Sequence, residues 1–79
     1  MRRYISTFYS HFGAVRFSRE LKACNISVVL APVPRFLSSS CGTCAEFEYD
    51  ADLSKDEDHD RFLSILSHPE EIEQLVEVT

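Results

Sequence analysis

The sequence has few of the residues that mark unusual structural classes: two glycines, three prolines and no tryptophan among 79 residues. So little glycine and proline excludes a collagen-like or low-complexity chain. Long apolar runs are also missing. The longest, from Ile26 to Val33, contains Ser27 and Pro32 and is far shorter than the roughly 20 residues that a membrane helix needs. We therefore expect no membrane segment and no secretion signal, and a cytoplasmic location.

Basic residues are outnumbered, with eight Lys and Arg against thirteen Asp and Glu, which gives a net charge of −5. Nucleic-acid binding is disfavoured, because neutralising phosphates requires a basic face. The charges are unevenly distributed: residues 1–45 carry six basic side chains and one acidic one, whereas residues 46–79 carry two basic and twelve acidic ones. We expect two oppositely charged faces, with any site for a small anion in the first half.

The motifs of several enzyme classes are missing as well. The sequence contains no glycine-rich phosphate loop, no Ser-His-Asp pattern and no evident pair of catalytic carboxylates. At this length the chain is expected to form one domain over residues 1–79, with a small core. A large enzyme with a deep, dedicated substrate cleft is therefore excluded.

Hydrophobic periodicity predicts six secondary-structure elements. Strands are expected over residues 3–9, 26–31, 45–49 and 72–78, with one helix between the first two strands and another between the last two. The second strand is expected at the centre of the sheet, since its apolar run is typical of burial on both faces. With right-handed crossovers, the β-α-β-β-α-β order predicts an α+β fold, the ferredoxin-like sandwich, in which two helices cover one face of an antiparallel sheet.

Local signals define the ends of the two helices. Ser10 is the expected N-cap of the first helix, and Asn25, which tolerates the left-handed conformation, is its expected end. Cys24 falls on the apolar stripe of this helix, so we expect a buried and unreactive thiol. Ser54 and Glu57 have the spacing of a capping box at the start of the second helix.

The segment Arg35–Cys44, with the sequence RFLSSSCGTC, concentrates residues suited to thiol chemistry. Cysteine reacts as its thiolate, which a nearby cation or converging backbone N–H groups favour. Arg35 supplies the cation, the serines supply a small, flexible backbone, and Gly42 leaves the neighbouring Cys41 unscreened. We therefore predict that Cys41 is the most reactive thiol; a serine-rich connection with incidental cysteines is the alternative.

Cys41 and Cys44 form a C-x-x-C pair that allows three functions. A thioredoxin-type reductase needs the first cysteine at a helix N-terminus, whereas the residues after this pair alternate like a strand. Zinc needs four ligands, and His11, His59 and His68 lack ligand spacing, so we expect no metal and no other cofactor. A transfer thiol with a resolving partner fits best; a thiol–disulfide oxidoreductase or redox sensor is the alternative.

Three segments of the chain share their residues and order with a known family: Phe8–His11, Pro32–Arg35 and Leu37–Gly42. Together they resemble the selenium/sulfur (Se/S) carrier protein-like family, small bacterial proteins found beside selenium-metabolism functions. The resemblance covers residues 3–49. Its specific part is the stretch from Pro-Arg to Ser-Ser-Cys-Gly, since the rest is a generic strand–helix–strand unit.

The resemblance implies a carrier rather than a catalyst, with a persulfide or perselenide on Cys41 and with Arg35 and Gly42 as signature neighbours. Cys44 is an addition to the family pattern, with a spacing that would let it release or resolve the cargo. The implied partners are a cysteine desulfurase-type donor or a selenophosphate-synthesis acceptor. We expect the partner to dock on the exposed basic side chains of the first helix: Arg16, Arg19 and Lys22.

Overall fold

Two helices lie on one face of a four-stranded antiparallel sheet in the computed structural model, which describes residues 1–78. The elements are β1 (Arg2–Phe8), α1 (His11–Ala23), β2 (Val28–Pro32), β3 (Thr43–Tyr49), α2 (Asp56–Leu63), a 3₁₀ turn (Pro69–Glu71) and β4 (Ile72–Val78). The strands lie in the order β2-β3-β1-β4, and all neighbours are antiparallel. The predicted ferredoxin-like α+β sandwich is confirmed.

Aromatic rings fill the space between the sheet and the helices. Successive side chains of a strand point to opposite faces, and Tyr4 and Phe8 of β1 share the helix side with Phe47 of β3. Phe62 of α2 stacks on Phe47 with ring centroids 5.3 Å apart, while Phe17 of α1 meets Phe47 edge-on at 5.5 Å. These contacts attach both helices to the central strand β3, and both ring arrangements are favourable for aromatic pairs.

The sheet face turned away from the helices, the open face, is also partly buried. Ile5, Thr7 and Cys44 lie on it and are at most 5% exposed. The strand register places Thr7 between Cys44 of β3 and Gln74 of β4. Val29 of β2, on the same face, is 62% exposed. Burial on the open face is therefore concentrated in the two central strands.

The second strand lies at an edge of the sheet, and its predicted central position is wrong. β2 pairs with β3 alone, and its side chains alternate between the core and solvent. Val28 is buried and Leu30 packs against the core, whereas Val29 points to solvent. The prediction failed because a continuous apolar run does not distinguish a strand with two buried faces from an edge strand with one apolar exposed face.

The start and end of α1 follow the predicted signals, but the position of Cys24 does not. The Ser10 side chain accepts a hydrogen bond from the backbone N–H of Gly13 at 3.2 Å, and Asn25 has a φ of 60°. The helix ends at Ala23, and Cys24 is its C-cap, directly before the left-handed Asn25. The predicted burial of Cys24 is wrong, since its side chain is exposed beyond the helical stripe.

The predicted capping box of the second helix is also wrong. α2 begins at Asp56 after Lys55, and its N-cap makes no side-chain hydrogen bond. The Ser54 hydroxyl instead donates to the Asp52 carboxylate at 2.6 Å, a local turn contact that competes with capping.

Within residues 1–78 neither helix is long and apolar enough to cross a membrane.

The C-terminal segment contains both a short helical turn and the predicted edge strand. β4 follows the 3₁₀ turn directly and pairs with β1 alone. Its alternation differs from the sequence pattern, because both Ile72 and Leu75 pack against the core. The pairing steps from Thr7–Gln74 to Phe8–Ile72, so that one residue of β4 has no partner in β1.

A buried tyrosine connects the central strand to the segment that follows β3. The Tyr4 hydroxyl donates to the Ala51 carbonyl at 2.7 Å and accepts from the backbone N–H of Leu53 at 3.0 Å. Tyr4 is 3% exposed, and Leu53 is buried as well. Both hydrogen-bonding roles of the hydroxyl are therefore used away from solvent.

Tyr4→Phe is expected to destabilise the fold by about 1–3 kcal/mol, because it leaves the buried Leu53 N–H without an acceptor. Urea unfolding measures this loss. Tyr9→Phe is the matched control, since Tyr9 is 60% exposed, and its effect should stay within about 0.5 kcal/mol. Equal losses in the two variants would contradict this account of Tyr4.

Candidate functional site: the Cys41 loop

Most of the predicted reactive segment lies in a loop between β2 and β3, residues 33–42, which we call the Cys41 loop, whereas its last two residues, Thr43 and Cys44, begin β3. Its base is closed by a hydrogen bond from the Val33 N–H to the Gly42 carbonyl at 3.1 Å. Gly42 has a φ of +76°, a backbone conformation that favours glycine. A Cβ at this position would have no atom within 4 Å. The glycine is therefore required by backbone geometry and not by lack of space.

The tip of the loop reaches across the end of the sheet to the two strands on its far side. The Ser39 hydroxyl donates to the carbonyl of Phe8, the last residue of β1, at 3.4 Å. The Ser38 carbonyl accepts a hydrogen bond from the Gln74 amide of β4 at 3.2 Å. The loop therefore touches β1 and β4 in addition to the two strands that it joins.

Cys41 is half-buried, and its side chain packs against the helix-side core. Its thiol donates to the Thr43 carbonyl at 3.4 Å, and its backbone N–H donates to the Ser39 hydroxyl at 3.3 Å. The same hydroxyl lies 4.0 Å from the sulfur. A hydroxyl so close can turn from the Phe8 carbonyl and donate its one hydrogen to an anionic sulfur species, since hydrogen bonds to charged acceptors are the stronger ones.

Arg35, the predicted cation beside the thiol, lies in the same loop with an exposed side chain. Within residues 1–78 it forms no ion pair, and it is not among the hydrogen-bond partners of the Cys41 sulfur. The backbone N–H groups of Ser40 and Cys41 are already engaged, by Glu73 and Ser39 respectively. In this conformation the Ser39 hydroxyl, 4.0 Å from the sulfur, is the donor for which a contact with the Cys41 thiol is seen, and the Thr43 carbonyl, at 3.4 Å, is the acceptor.

Cys44 has a different environment, although only two residues separate it from Cys41. It lies on the open face beside Thr7, is fully buried, and its thiol contacts the Pro32 carbonyl at 3.6 Å. Burial raises the pKa of the Cys44 thiol, which reduces its thiolate fraction at neutral pH. Both cysteines of the pair are free thiols.

Three residues that contact the loop or its end were not among the predicted site residues. His11, at the start of α1, places Nδ1 3.3 Å from the Thr43 hydroxyl. Glu73 and Gln74 of β4 bind the loop tip. Glu73 is one of twelve acids in the second half of the chain, and no sequence signal separates it from the others.

Residues 1–78 contain no group of three or more His, Cys, Asp or Glu side chains placed to hold a metal ion.

The basic side chains of α1 differ in how they are engaged. Arg16 pairs with Glu71 at 3.6 Å. Arg19 and Lys22 are exposed and form no ion pair among the described residues. Two of the three predicted docking residues are therefore unpaired on the helix surface.

Alkylation of the folded, reduced chain is expected to modify Cys44 last, since its burial hinders the reagent and raises its pKa. Each unit of raised pKa lowers the thiolate fraction about tenfold. Peptide mapping after timed iodoacetamide treatment measures the rates for all three thiols, with exposed Cys24 as the internal reference. In guanidinium chloride the difference between Cys24 and Cys44 should disappear. Equal rates for these two thiols in the folded state would contradict the burial of Cys44.

Comparison with known proteins identifies a related family but no close relative. A family model described as "Putative Se/S carrier protein-like" matches residues 3–74. The match extends beyond the segments that carry the sequence resemblance and includes the start of β4. Among curated proteins and among solved structures, none matches the chain significantly.

Proposed function

Since the chain belongs to the Se/S carrier protein-like family, we propose that it holds sulfur or selenium on Cys41 and passes it between partner proteins. The observation that carries this proposal is the setting of the thiol. Cys41 is free and half-buried in a loop held at its base and tip, with a serine hydroxyl 4.0 Å from the sulfur. Exchange requires reduced thiols, so we place the protein in the cytoplasm.

Loading transfers one sulfur atom from a persulfide on the donor protein to the Cys41 thiolate. The deprotonated Cys41 attacks the terminal sulfur of a persulfide on the donor protein, so that a new S–S bond forms on Cys41. The donor's S–S bond breaks, and its cysteine leaves as a thiolate. The Cys41 persulfide is then held near the Ser39 hydroxyl, which donates a hydrogen bond to its anionic form. A perselenide follows the same exchange with selenium as the transferred atom.

Release follows one of two routes. A nucleophile of the acceptor takes the terminal atom and leaves the Cys41 thiolate, or the Cys44 thiolate attacks the inner sulfur of the Cys41 persulfide. The second route forms a Cys41–Cys44 disulfide and expels hydrosulfide, and an external dithiol then reduces the disulfide. Because Cys44 is fully buried on the open face, this route requires its thiol to become accessible to the Cys41 persulfide.

Incubation of the reduced chain with a cysteine desulfurase and cysteine is expected to add one sulfur atom to Cys41, detected by intact mass and peptide mapping. Cys41→Ser should abolish the adduct. Cys24→Ser is the matched control, since it removes an exposed thiol outside the loop, and should leave the adduct unchanged. Cys44→Ser should lengthen the lifetime of the adduct if Cys44 resolves it.

The alternative, a thiol–disulfide oxidoreductase with the same pair, is tested by adding a model disulfide to the reduced chain in a parallel assay. An oxidoreductase reduces this disulfide catalytically, and Cys44→Ser then traps a mixed disulfide on Cys41. Rapid turnover of a disulfide substrate without sulfur uptake would refute the carrier proposal and establish the redox function.

The donor or acceptor is proposed to dock on α1 beside the Cys41 loop. The contact between His11 and Thr43 places the start of this helix at the end of the loop. The aromatic side chains in the adjoining segments are largely exposed: Tyr9, Phe12 and Phe36. Exposed aromatic side chains near the start of α1, with the basic side chains Arg19 and Lys22 further along the same helix, fit a partner that has acidic side chains around its reactive cysteine or its acceptor site.

Reversing the unpaired charges of α1, with Arg19→Glu and Lys22→Glu together, is expected to slow sulfur transfer several-fold at low salt. The effect should shrink as salt rises, because exposed charges are screened within about 8–10 Å at physiological ionic strength. Single-turnover transfer, read by mass spectrometry, measures the rate.

Lys55→Glu is the control for this experiment. Lys55 is an exposed cation that forms no ion pair within residues 1–78 and lies before α2. Its reversal should change the transfer rate less than Arg19→Glu or Lys22→Glu alone, each of which alters the net charge by the same amount, and none of these variants should change Cys41 alkylation. Equal slowing by the three single variants would show that overall charge, and not the α1 surface, governs the encounter.

A further inference from the structure

The pairing of β4 with β1 is irregular at the point where the Cys41 loop crosses. Thr7 pairs with Gln74, whereas the next residue, Phe8, pairs with Ile72. Glu73 is therefore an extra residue in β4, a β-bulge. Bulges redirect side chains and are over-represented beside functional sites.

The bulge brings two successive side chains of β4 to the loop. Ile72 and Leu75, on either side of them, both pack against the helix-side core. The residues between them, Glu73 and Gln74, both bind the tip of the Cys41 loop. A regular strand would send two neighbouring side chains to opposite faces. The irregularity therefore accounts for two adjacent residues that contact the same loop.

Glu73 binds the residue immediately before Cys41 through both of its carboxylate oxygens. Oε1 accepts the backbone N–H of Ser40 at 3.2 Å, and Oε2 accepts the Ser40 hydroxyl at 2.7 Å. The Gln74 amide donates to the Ser38 carbonyl at 3.2 Å. In the described residues 1–78, one further hydrogen bond joins loop residues 38–40 to the sheet. The Ser39 hydroxyl donates it to the Phe8 carbonyl.

We infer that Glu73 and Gln74 are positioning residues for Cys41, which act by clamping loop residues 38–40 to the bulge in β4. The clamp fixes Ser39, which binds the Cys41 N–H at 3.3 Å and whose hydroxyl lies 4.0 Å from the sulfur. It thereby determines both the exposure of the thiol and the position of the hydroxyl that faces it. Its consequence for sulfur transfer rests on the proposed function; its consequence for the loop does not.

The Glu73 carboxylate is the stronger part of this clamp. The hydrogen bonds that Ser40 donates hold the pKa of Glu73 below its ordinary value, so the group is charged at neutral pH. Hydrogen bonds to a charged acceptor are roughly twice as strong as those between neutral groups. Loss of this carboxylate should therefore affect the loop more than loss of the Gln74 amide.

The test uses the full, reduced chain with Glu73→Ala and, as the matched control, Glu77→Ala. Glu77 lies in the same strand and is also hydrogen-bonded, but its partner is Arg2, away from the Cys41 loop. Amide hydrogen exchange is measured at Ser40 and Cys41, together with the rate of Cys41 alkylation relative to Cys24. Glu73→Gln, which keeps an oxygen acceptor without the charge, and Ser40→Ala, which removes one of the two bonds, provide milder variants.

Glu73→Ala is expected to speed amide exchange at Ser40 and Cys41 by about tenfold or more, the factor given by loss of one charge-assisted hydrogen bond. It should raise Cys41 alkylation several-fold while leaving Cys24 unchanged. Glu73→Gln and Ser40→Ala should give intermediate values, and they replace the alanine variant as the test if that variant does not fold. Glu77→Ala should leave the exchange and alkylation at the loop at wild-type values.

Wild-type exchange and alkylation at the loop in the Glu73 variants would overturn the inference, as would equal changes in Glu77→Ala. Neither readout uses a sulfur donor, so the inference stands or falls independently of the carrier proposal. Failure of the wild-type chain to accept sulfur, with a loop that loosens in Glu73→Ala, would refute the carrier and support the clamp. Normal sulfur loading of the wild-type chain, with an unchanged loop in the Glu73 variants, would support the carrier and refute the clamp.

Discussion

The antiparallel pairing of β1 with β3 on one side and with β4 on the other holds the parts of the site together. This register places Thr7 between Cys44 and Gln74, and it brings the end of β1 to the loop that joins β2 and β3. Residues that are more than 30 positions apart in the chain thereby meet around Cys41. The bulge in β4 depends on the same pairing, since Glu73 is an extra residue only relative to β1, the strand that β4 pairs with. A slip of one residue between β1 and β4 would turn the clamp away from the loop.

The two cysteines of the C-x-x-C pair differ because the chain passes from loop to strand between them. Cys41 lies in the loop against the helix side and is half-buried, whereas Cys44 has entered β3 and is fully buried on the open face. This arrangement suits a thiol that exchanges with outside partners and a second thiol whose reaction is delayed. It differs from the thioredoxin-type arrangement, in which a helix N-terminus activates the first cysteine.

The fold was predictable from local patterns, and the site only in part. Ser10 and Asn25 act within a few residues of their own position, so their capping roles could be recognised, and hydrophobic periodicity was sufficient for the element order. The edge position of β2, the exposure of Cys24 and the bulge at Glu73 depend on pairing partners or on the exact point where a helix ends. The segment with Cys41 was recognisable from its composition. Its anchors in β4 were not, because an acidic residue in an acidic strand has no distinguishing pattern.

The central claim is that Cys41 is the atom-carrying thiol, and its state inside the cell tests this most directly. Cells that produce the chain are lysed with an alkylating agent and without reductant, and the purified protein is mapped by peptide mass spectrometry with detection of sulfur and selenium. The account predicts an additional sulfur or selenium atom on the peptide that contains Cys41, in a fraction of the molecules that falls when cysteine desulfurase activity is removed. A Cys41 found only as free thiol or as a disulfide with Cys44, whatever the desulfurase activity, would contradict it.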